Sequence, residues 1–311
     1  MKRCRSSTVF HRCQHHSLRA GVSLIEVLVA VGVICILIAL MGPAIQQARE
    51  SARKAECGSR LRQIGIAVHN YESAFGGIPI SAGHKGPLQV LDSFLTGGPA
   101  AIDGSTSEIM RCPSDYKSSS GMNYGINGGT APDAMFAATN GVWAGDGDPI
   151  RFSSVSDGLS NTAMFAEWLR GNRDWFPGFT PPLPPPSRAE LRRLIVAVVM
   201  PIGSTMSVSS AMSQCAITDA ATAPVYSTQR GGGSGGLAED TAYFHELPPN
   251  SNSCYLAPPI LGWGVNCPSS FHGDGANVLL VDGSVRFVTS RIDRSVWRAL
   301  GTRSGNDRST F

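Results

Sequence analysis

The sequence predicts an α+β protein: a long N-terminal helix over about residues 23–75, its first half crossing a membrane, packed on an antiparallel β-sheet head. Three observations carry this. From Val27 to Ala48 there is no charged residue. Cys57, Leu61, Ile64, Val68, Tyr71 and Phe75 then follow at spacings of 4, 3, 4, 3 and 4, one face of an amphipathic helix. Near the C-terminus, two apolar runs flank Asp282-Gly283, a strong hairpin signal.

The leader comes first. Residues 1–21 hold Lys2, Arg3, Arg5, Arg12 and Arg19 and no acid, which leaves 21 basic against 23 acidic residues in the remainder. The net charge of +3 therefore belongs to the N-terminus, and the rest presents no nucleic-acid surface. The apolar run that follows can cross a bilayer core of roughly 30 Å as a helix. It exceeds the h-region of a cleaved signal peptide, and no A-x-A site follows it. Basic residues ahead of the span predict a single pass of the cytoplasmic membrane, with the N-terminus cytoplasmic and the head extracytoplasmic. Glu26 sits at the edge of this run, where an ionisable group is costly without a partner.

The domain plan is a leader (1–21), a membrane-spanning helix (22–42), its amphipathic continuation (43–76) and a β-rich head (77–311) with a variable insertion at about 170–255. Gly76-Gly77 and Pro79 end the helix. At 1.5 Å per residue it would be roughly 80 Å long. The head has 35 glycines and 20 prolines in the whole chain to draw on, a composition of loops and short strands. Within the insertion, "PGFTPPLPPP" reads as a connector and "GGGSGG" as a flexible loop. "SRAELRRLIVAVVM" opens with Ser187 and Glu190 in capping-box spacing and predicts a short helix. Asp157 and Asn161 read as local turn and capping residues.

The chain has eight cysteines, three of them (Cys4, Cys13, Cys35) in the leader and the span. Export makes disulfides plausible among the other five. Cys57 faces the head on the helix, so Cys57–Cys112 is the first expected pair; Cys254–Cys267, closing a short loop, is the second, leaving Cys215. No CxxC occurs and no histidine spacing completes a metal site, so neither a metal nor another cofactor is expected. Asp146 and Asp148 are weak calcium candidates that lack a full loop pattern. No G-x-S-x-G or H-E-x-x-H occurs, and no nucleophile has a catalytic context, so an enzyme is not expected.

"FHGDGANVLLVDGSVRF" (271–287) gathers His272, Asp274 and Asp282. A two-residue type I′ turn at Asp282-Gly283 would pair Val281 with Ser284, Leu280 with Val285 and Val278 with Phe287. One face would then hold Val278, Leu280, Val285 and Phe287. His272 would lie on the order of 15–30 Å from Asp282, so the two cannot form a dyad. Continuing the ladder would bring His272 opposite Asp293, which also suits the N-cap of a helix over 294–300.

The N-terminal stretch Gly21-Val22-Ser23-Leu24-Ile25-Glu26, behind a basic leader and ahead of an apolar helix, resembles the type IV prepilin and pseudopilin start. The resemblance implies cleavage after Gly21 by a prepilin peptidase, N-methylation of Val22, and a Glu26 that meets the N-terminal amine of a neighbouring subunit. It further implies the pilin plan of one long helix and a globular head, with the membrane and other pilin-like subunits as partners. Val22 stands where phenylalanine is commoner. A longer ordered set, "CGSRLRQIGIAVHNYESAFGGIP", "RCPSD", "SDGLSNT" and "FHGDGANVLLVDGSVRFV", resembles a large planctomycete prepilin-like family of unknown function with a C-terminal H-x9-DG signature, here His272, Asp282 and Gly283. Two functions are thus expected to compete: a structural subunit of a pilus or type II secretion pseudopilus, and a membrane-tethered extracytoplasmic binding module that uses the prepilin route.

Overall fold

A computed structural model describes residues 23–81, 86–96, 108–116, 121–130, 139–145, 147–170, 192, 195–199, 208–221, 225–227, 241–257 and 263–306. The chain divides into two units, residues 1–48 and 49–311. Helix α1 (Leu24–Phe75) contributes to both.

In the first unit, α1 is long and apolar enough to cross a membrane. Its large side chains from Leu24 to Met41 are all exposed. By length and composition this stretch is a candidate membrane span. Ser23 N donates to Glu26 Oε2 at 2.8 Å, so the acid caps the helix start. Gly21 and Val22 lie outside the described residues.

In the second unit α1 presents its stripe to the head. Cys57, Leu61, Ile64 and Val68 are fully buried, and Tyr71 packs against the same cluster. Phe75 departs from expectation: it is 65% exposed, with its ring against those of Tyr71 and Phe94. The stripe runs off the head at its last turn. Gly76 then takes φ +74° and stops the helix. Two short helices follow, α2 (Pro87–Val90) and α3 (Asp92–Thr96).

The main sheet contains β1 (Tyr124–Asn127), β2 (Ala163–Glu167), β5 (Ala242–Tyr243), β8 (Gly275–Leu280) and β9 (Val285–Thr289), in the order β5-β1-β2-β8-β9. A smaller sheet contains β3 (Ile195–Val199), β4 (Val225–Ser227), β6 (Ser253–Ala257) and β7 (Trp263–Val265), in the order β4-β3-β6-β7. The α+β class with a helix on a sheet holds. Both sheets are mixed rather than purely antiparallel, because β1–β5 and β3–β6 run parallel. Each of those parallel pairs joins strands far apart in sequence, a pairing that no hairpin signal encodes.

Residues 195–199 form a strand where the capping-box reading predicts helix. Ile-Val-Ala-Val-Val is rich in β-branched residues, and the nonlocal ladder with Ser253–Ala257 decides in favour of the sheet. Helix α4 (Val208–Ile217) lies in the same region and shares a small core of Ala211, Met212, Cys215, Cys254 and Val265.

The C-terminal hairpin forms, one residue out of the predicted register. Leu279 pairs with Val285, Val278 with Arg286 and Asn277 with Phe287. Gly283 has φ +85°, and Asp282 is not among the positive-φ residues, so a type I′ turn, which needs both, is excluded. A three-residue turn closes instead, with Gly283 N donating to Leu280 O at 3.0 Å and Leu280 N to Ser284 O at 2.8 Å. The slip exchanges faces. Leu279 and Val285 now meet the α1 cluster, while Val278, Leu280 and Val288 pack with Trp168, Tyr243, Trp297 and Leu300 on the other side. Lys54 Nζ on α1 lies 3.1 Å from the centroid of the Phe287 ring.

Asp293 is the N-cap of α5 (Arg294–Ala299), accepting from Ser295 N and Val296 N. The His272–Asp293 contact predicted by ladder continuation is replaced by other partners. Asp157 reaches further than a local cap: buried, it accepts from Thr302 Oγ1 at 3.2 Å, Gly305 N at 2.6 Å and Asn306 N at 2.9 Å, and so holds the C-terminal loop.

Disulfides join Cys57 to Cys112 and Cys215 to Cys254. The second replaces the expected Cys254–Cys267 pair. Helix α4 brings Cys215 against β6, a proximity the linear spacing does not reveal. Cys267 is buried nearby, with Sγ 3.2 Å from Asn252 O.

Candidate functional site

His272 is the centre of a buried polar cluster drawn from four separate segments. Its side chain is fully enclosed. Nδ1 stands 2.7 Å from Glu50 Oε1, on the first turns of α1 in the second unit. Nε2 stands 3.3 Å from Cys112 Sγ and 3.6 Å from Glu167 Oε1. The first of these is a hydrogen-bond distance to sulfur; the second is an ion-pair distance.

Each partner is placed by local structure. Glu50 and Cys57 are seven residues apart on α1, two turns, and therefore share a face. Cys112-Pro113-Ser114-Asp115 is a turn closed by Asp115 N donating to Cys112 O at 2.9 Å. It sets Ser114 Oγ 3.2 Å from Glu50 Oε1. Asn123 fixes the turn, accepting from Cys112 N at 2.9 Å and donating to Asp115 Oδ2 at 2.6 Å. Asp115 also forms a buried ion pair with Arg170.

Glu167 ends β2 in an unbroken buried strand, Ala163–Glu167. Its carboxylate receives Asn277 N at 2.9 Å and Asn277 Nδ2 at 3.0 Å from β8. His272 itself lies in the loop before β8. Its amide donates to Ser270 Oγ at 3.0 Å, and Ser270 Oγ donates to Gly275 O at 2.6 Å. Gly275 cannot carry a side chain, because a Cβ would lie 2.2 Å from Val288 O. Gly275 therefore serves close chain packing, whereas Gly273, with open space around it, serves a left-handed turn at φ +78°.

The electrostatics follow from enclosure. Burial alone would push the His272 imidazole towards neutrality, but attraction from Glu167 and Glu50 outweighs it, and the pKa is raised. Lys54 is shifted down by burial, an effect that Glu167 opposes. A buried carboxylate needs a counter-charge or full hydrogen bonding. Glu167 receives both, from His272 and Asn277.

The other residues singled out in the sequence lie elsewhere. Asp282 is exposed and accepts from its own neighbour, with Ser284 N 2.8 Å away. Asp274 is more than half exposed and faces Arg291 at 3.3 Å. Asp148 is exposed, and Asp146 lies outside the described residues. Glu50 and Glu167 are the residues that sequence reasoning missed. Glu50 sits in the charged run "ARESARKAE" and reads as a solvated helix face. Glu167 did leave a signal: it is the single acid inside the apolar stretch "TAMFAEWL".

One side of the cluster has metal-ligand composition. The ligating atoms of Cys57, Cys112, Glu167 and His272 all lie within 4.8 Å of one another. In the disulfide form the two sulfurs are committed to each other.

A family profile described as "Protein of unknown function (DUF1559)" matches residues 46–97 and 96–295. No curated protein and no solved structure matches the chain significantly.

Proposed function

The chain belongs to the DUF1559 family of proteins of unknown function, and on that premise we propose that it is a pilin- or pseudopilin-like structural subunit anchored in the cytoplasmic membrane. The supporting observation is the N-terminal helix, apolar and exposed from Leu24 to Met41. It begins within the Gly21-Val22-Ser23-Leu24-Ile25-Glu26 motif, at Leu24. A prepilin peptidase cleaves after Gly21 and methylates Val22. The N-terminus faces the cytoplasm and the head lies outside, exported by a type II secretion or type IV pilus-like system.

In the single chain Glu26 is held by its own Ser23 amide. In an assembly it meets the amine of a neighbouring Val22, an oppositely charged group that competes for the same carboxylate. The H-x9-DG signature reads as two architectural devices: a histidine that ties segments together and an Asp-Gly turn. The enclosure of His272 favours a structural over a catalytic reading, because no substrate reaches an imidazole with no exposed surface.

The intact mass of the mature protein tests the processing step. A chain beginning at Val22, with or without one methyl group, is expected; any other start removes the proposal. Glu26→Ala should then leave cleavage intact and abolish cross-linking into high-molecular-weight assemblies. Unchanged assembly would favour the membrane-tethered binding module instead.

A further inference from the structure

We propose that Cys57, Cys112, Glu167 and His272 form a site for one divalent zinc-class ion when the Cys57–Cys112 disulfide is reduced. The donor set is two sulfurs, one imidazole nitrogen and one carboxylate oxygen, the chemistry that tetrahedral zinc takes.

Three geometric facts point to it. Zinc–ligand lengths of roughly 2.0–2.3 Å put neighbouring ligand atoms about 3.3–3.8 Å apart in a tetrahedron. Nε2 is already 3.3 Å from Cys112 Sγ and 3.6 Å from Glu167 Oε1. All four donors are buried and mutually within 4.8 Å, so closing on an ion needs shifts of about an ångström or less beyond parting the sulfurs. Finally, Glu50 accepts from Nδ1 at 2.7 Å, which fixes the tautomer whose Nε2 lone pair faces the cluster. A carboxylate behind a ligating histidine is the usual outer support of such a site. Asn277 plays the same part for Glu167.

The chemistry balances. A dithiol reductant supplies two electrons and two protons to the disulfide and becomes a disulfide itself. Metal binding then releases the two thiol protons, and a third where His272 is still an imidazolium. The ion replaces the covalent bond between the same two residues, so α1 stays tied to the 112–115 turn in both states.

The test uses the full chain in detergent, reduced with a phosphine and titrated anaerobically with Co2+. One ion per chain is expected, with thiolate-to-cobalt charge-transfer absorption that Zn2+ abolishes. The oxidised protein should show none. Cys57→Ser should remove the absorption, and Glu167→Gln and His272→Gln should each weaken binding at least tenfold. Glu50→Gln, a conservative positioning variant, should keep the stoichiometry and weaken affinity on the order of ten- to hundredfold. Circular dichroism confirms that each variant is folded. Absence of the charge-transfer band in reduced, folded protein overturns the proposal. So does a band that survives Cys57→Ser, or one indifferent to both Glu167→Gln and His272→Gln.

Discussion

His272 Nδ1 lies 2.7 Å from Glu50 Oε1, although the two residues are 222 positions apart in sequence. With Glu167 on the opposite ring nitrogen, the imidazole joins α1, the end of β2 and the loop before β8. His272→Ala is expected to destabilise the oxidised protein by about 2–4 kcal/mol, because Glu167 then keeps its burial without its counter-charge. Denaturant unfolding of the full chain in detergent, wild type against variant, measures it. A change under about 0.5 kcal/mol would show that the cluster is incidental.

The two buried histidines among the described residues, His272 and His245, predict opposite pH dependences. The folded-state pKa of His272 is raised above 6.5, in a setting that includes Glu50, Glu167 and Lys54. Its contribution is full below about pH 6.5 and is lost as pH rises through the folded value. His245 behaves the other way. It is fully buried, and burial lowers its pKa to about 3 against the hydrogen bond it donates to the Trp297 carbonyl. Nδ1–H donates to Trp297 O at 2.7 Å, and Tyr243 Oη donates to Nε2 at 3.1 Å, so both nitrogens are satisfied in the neutral ring. Its contribution is full above about pH 6.5 and falls as pH drops from there towards 3, at up to about 1.4 kcal/mol per pH unit. Stability profiles should show a shallower acid limb for His245→Gln and a shallower alkaline limb for His272→Ala.

The Cys57–Cys112 bond closes a span of 55 residues, and Cys215–Cys254 one of 39. Chain-entropy reasoning gives roughly 4 kcal/mol for each. Cys57→Ala with Cys112→Ala should lower the unfolding free energy by about that amount. Peptide mapping of the native protein should recover both pairs, with Cys267 alkylated only after unfolding.

Asp157→Ala should release the C-terminal loop. Three donors lose their acceptor, for an expected cost of about 1–3 kcal/mol. Trypsin should then cut after Arg303 in the folded protein much faster than in wild type.

Gly283→Ala should cost about 1–2 kcal/mol, since φ +85° strains any residue with a Cβ. Hairpin register, read by cross-strand amide contacts, should stay with Leu279 opposite Val285.

Sequence periodicity located what is local. The α1 stripe, its glycine stop, the Asp293 cap and the existence of the hairpin all rest on neighbours within a few residues. The hairpin register is not local in this sense: Asp-Gly suits two turn types, and packing of Leu279 and Val285 on α1 favours the longer one. Residues 195–199 are strand rather than helix because a run of β-branched residues pairs with a strand far along the chain, Ile195 against Ser253, which the capping-box pair does not encode. The His272 cluster was illegible as a site because Glu50, Cys112, Glu167 and His272 meet only after the head closes. Glu50 offers no linear sign of burial, being itself partly exposed.

The Cys57–Cys112 bond also has a mechanical meaning. Tension drawn through the head from residue 49 towards the C-terminus follows α1 to Cys57 and crosses the disulfide to Cys112. Residues 58–111, which include the buried Leu61–Val68 stripe, lie outside that covalent path. The Glu50–His272 contact stands ahead of the bond on that path. Under such a pull the bond keeps residues 58–111, and the α1 stripe within them, from being drawn out in line with the chain.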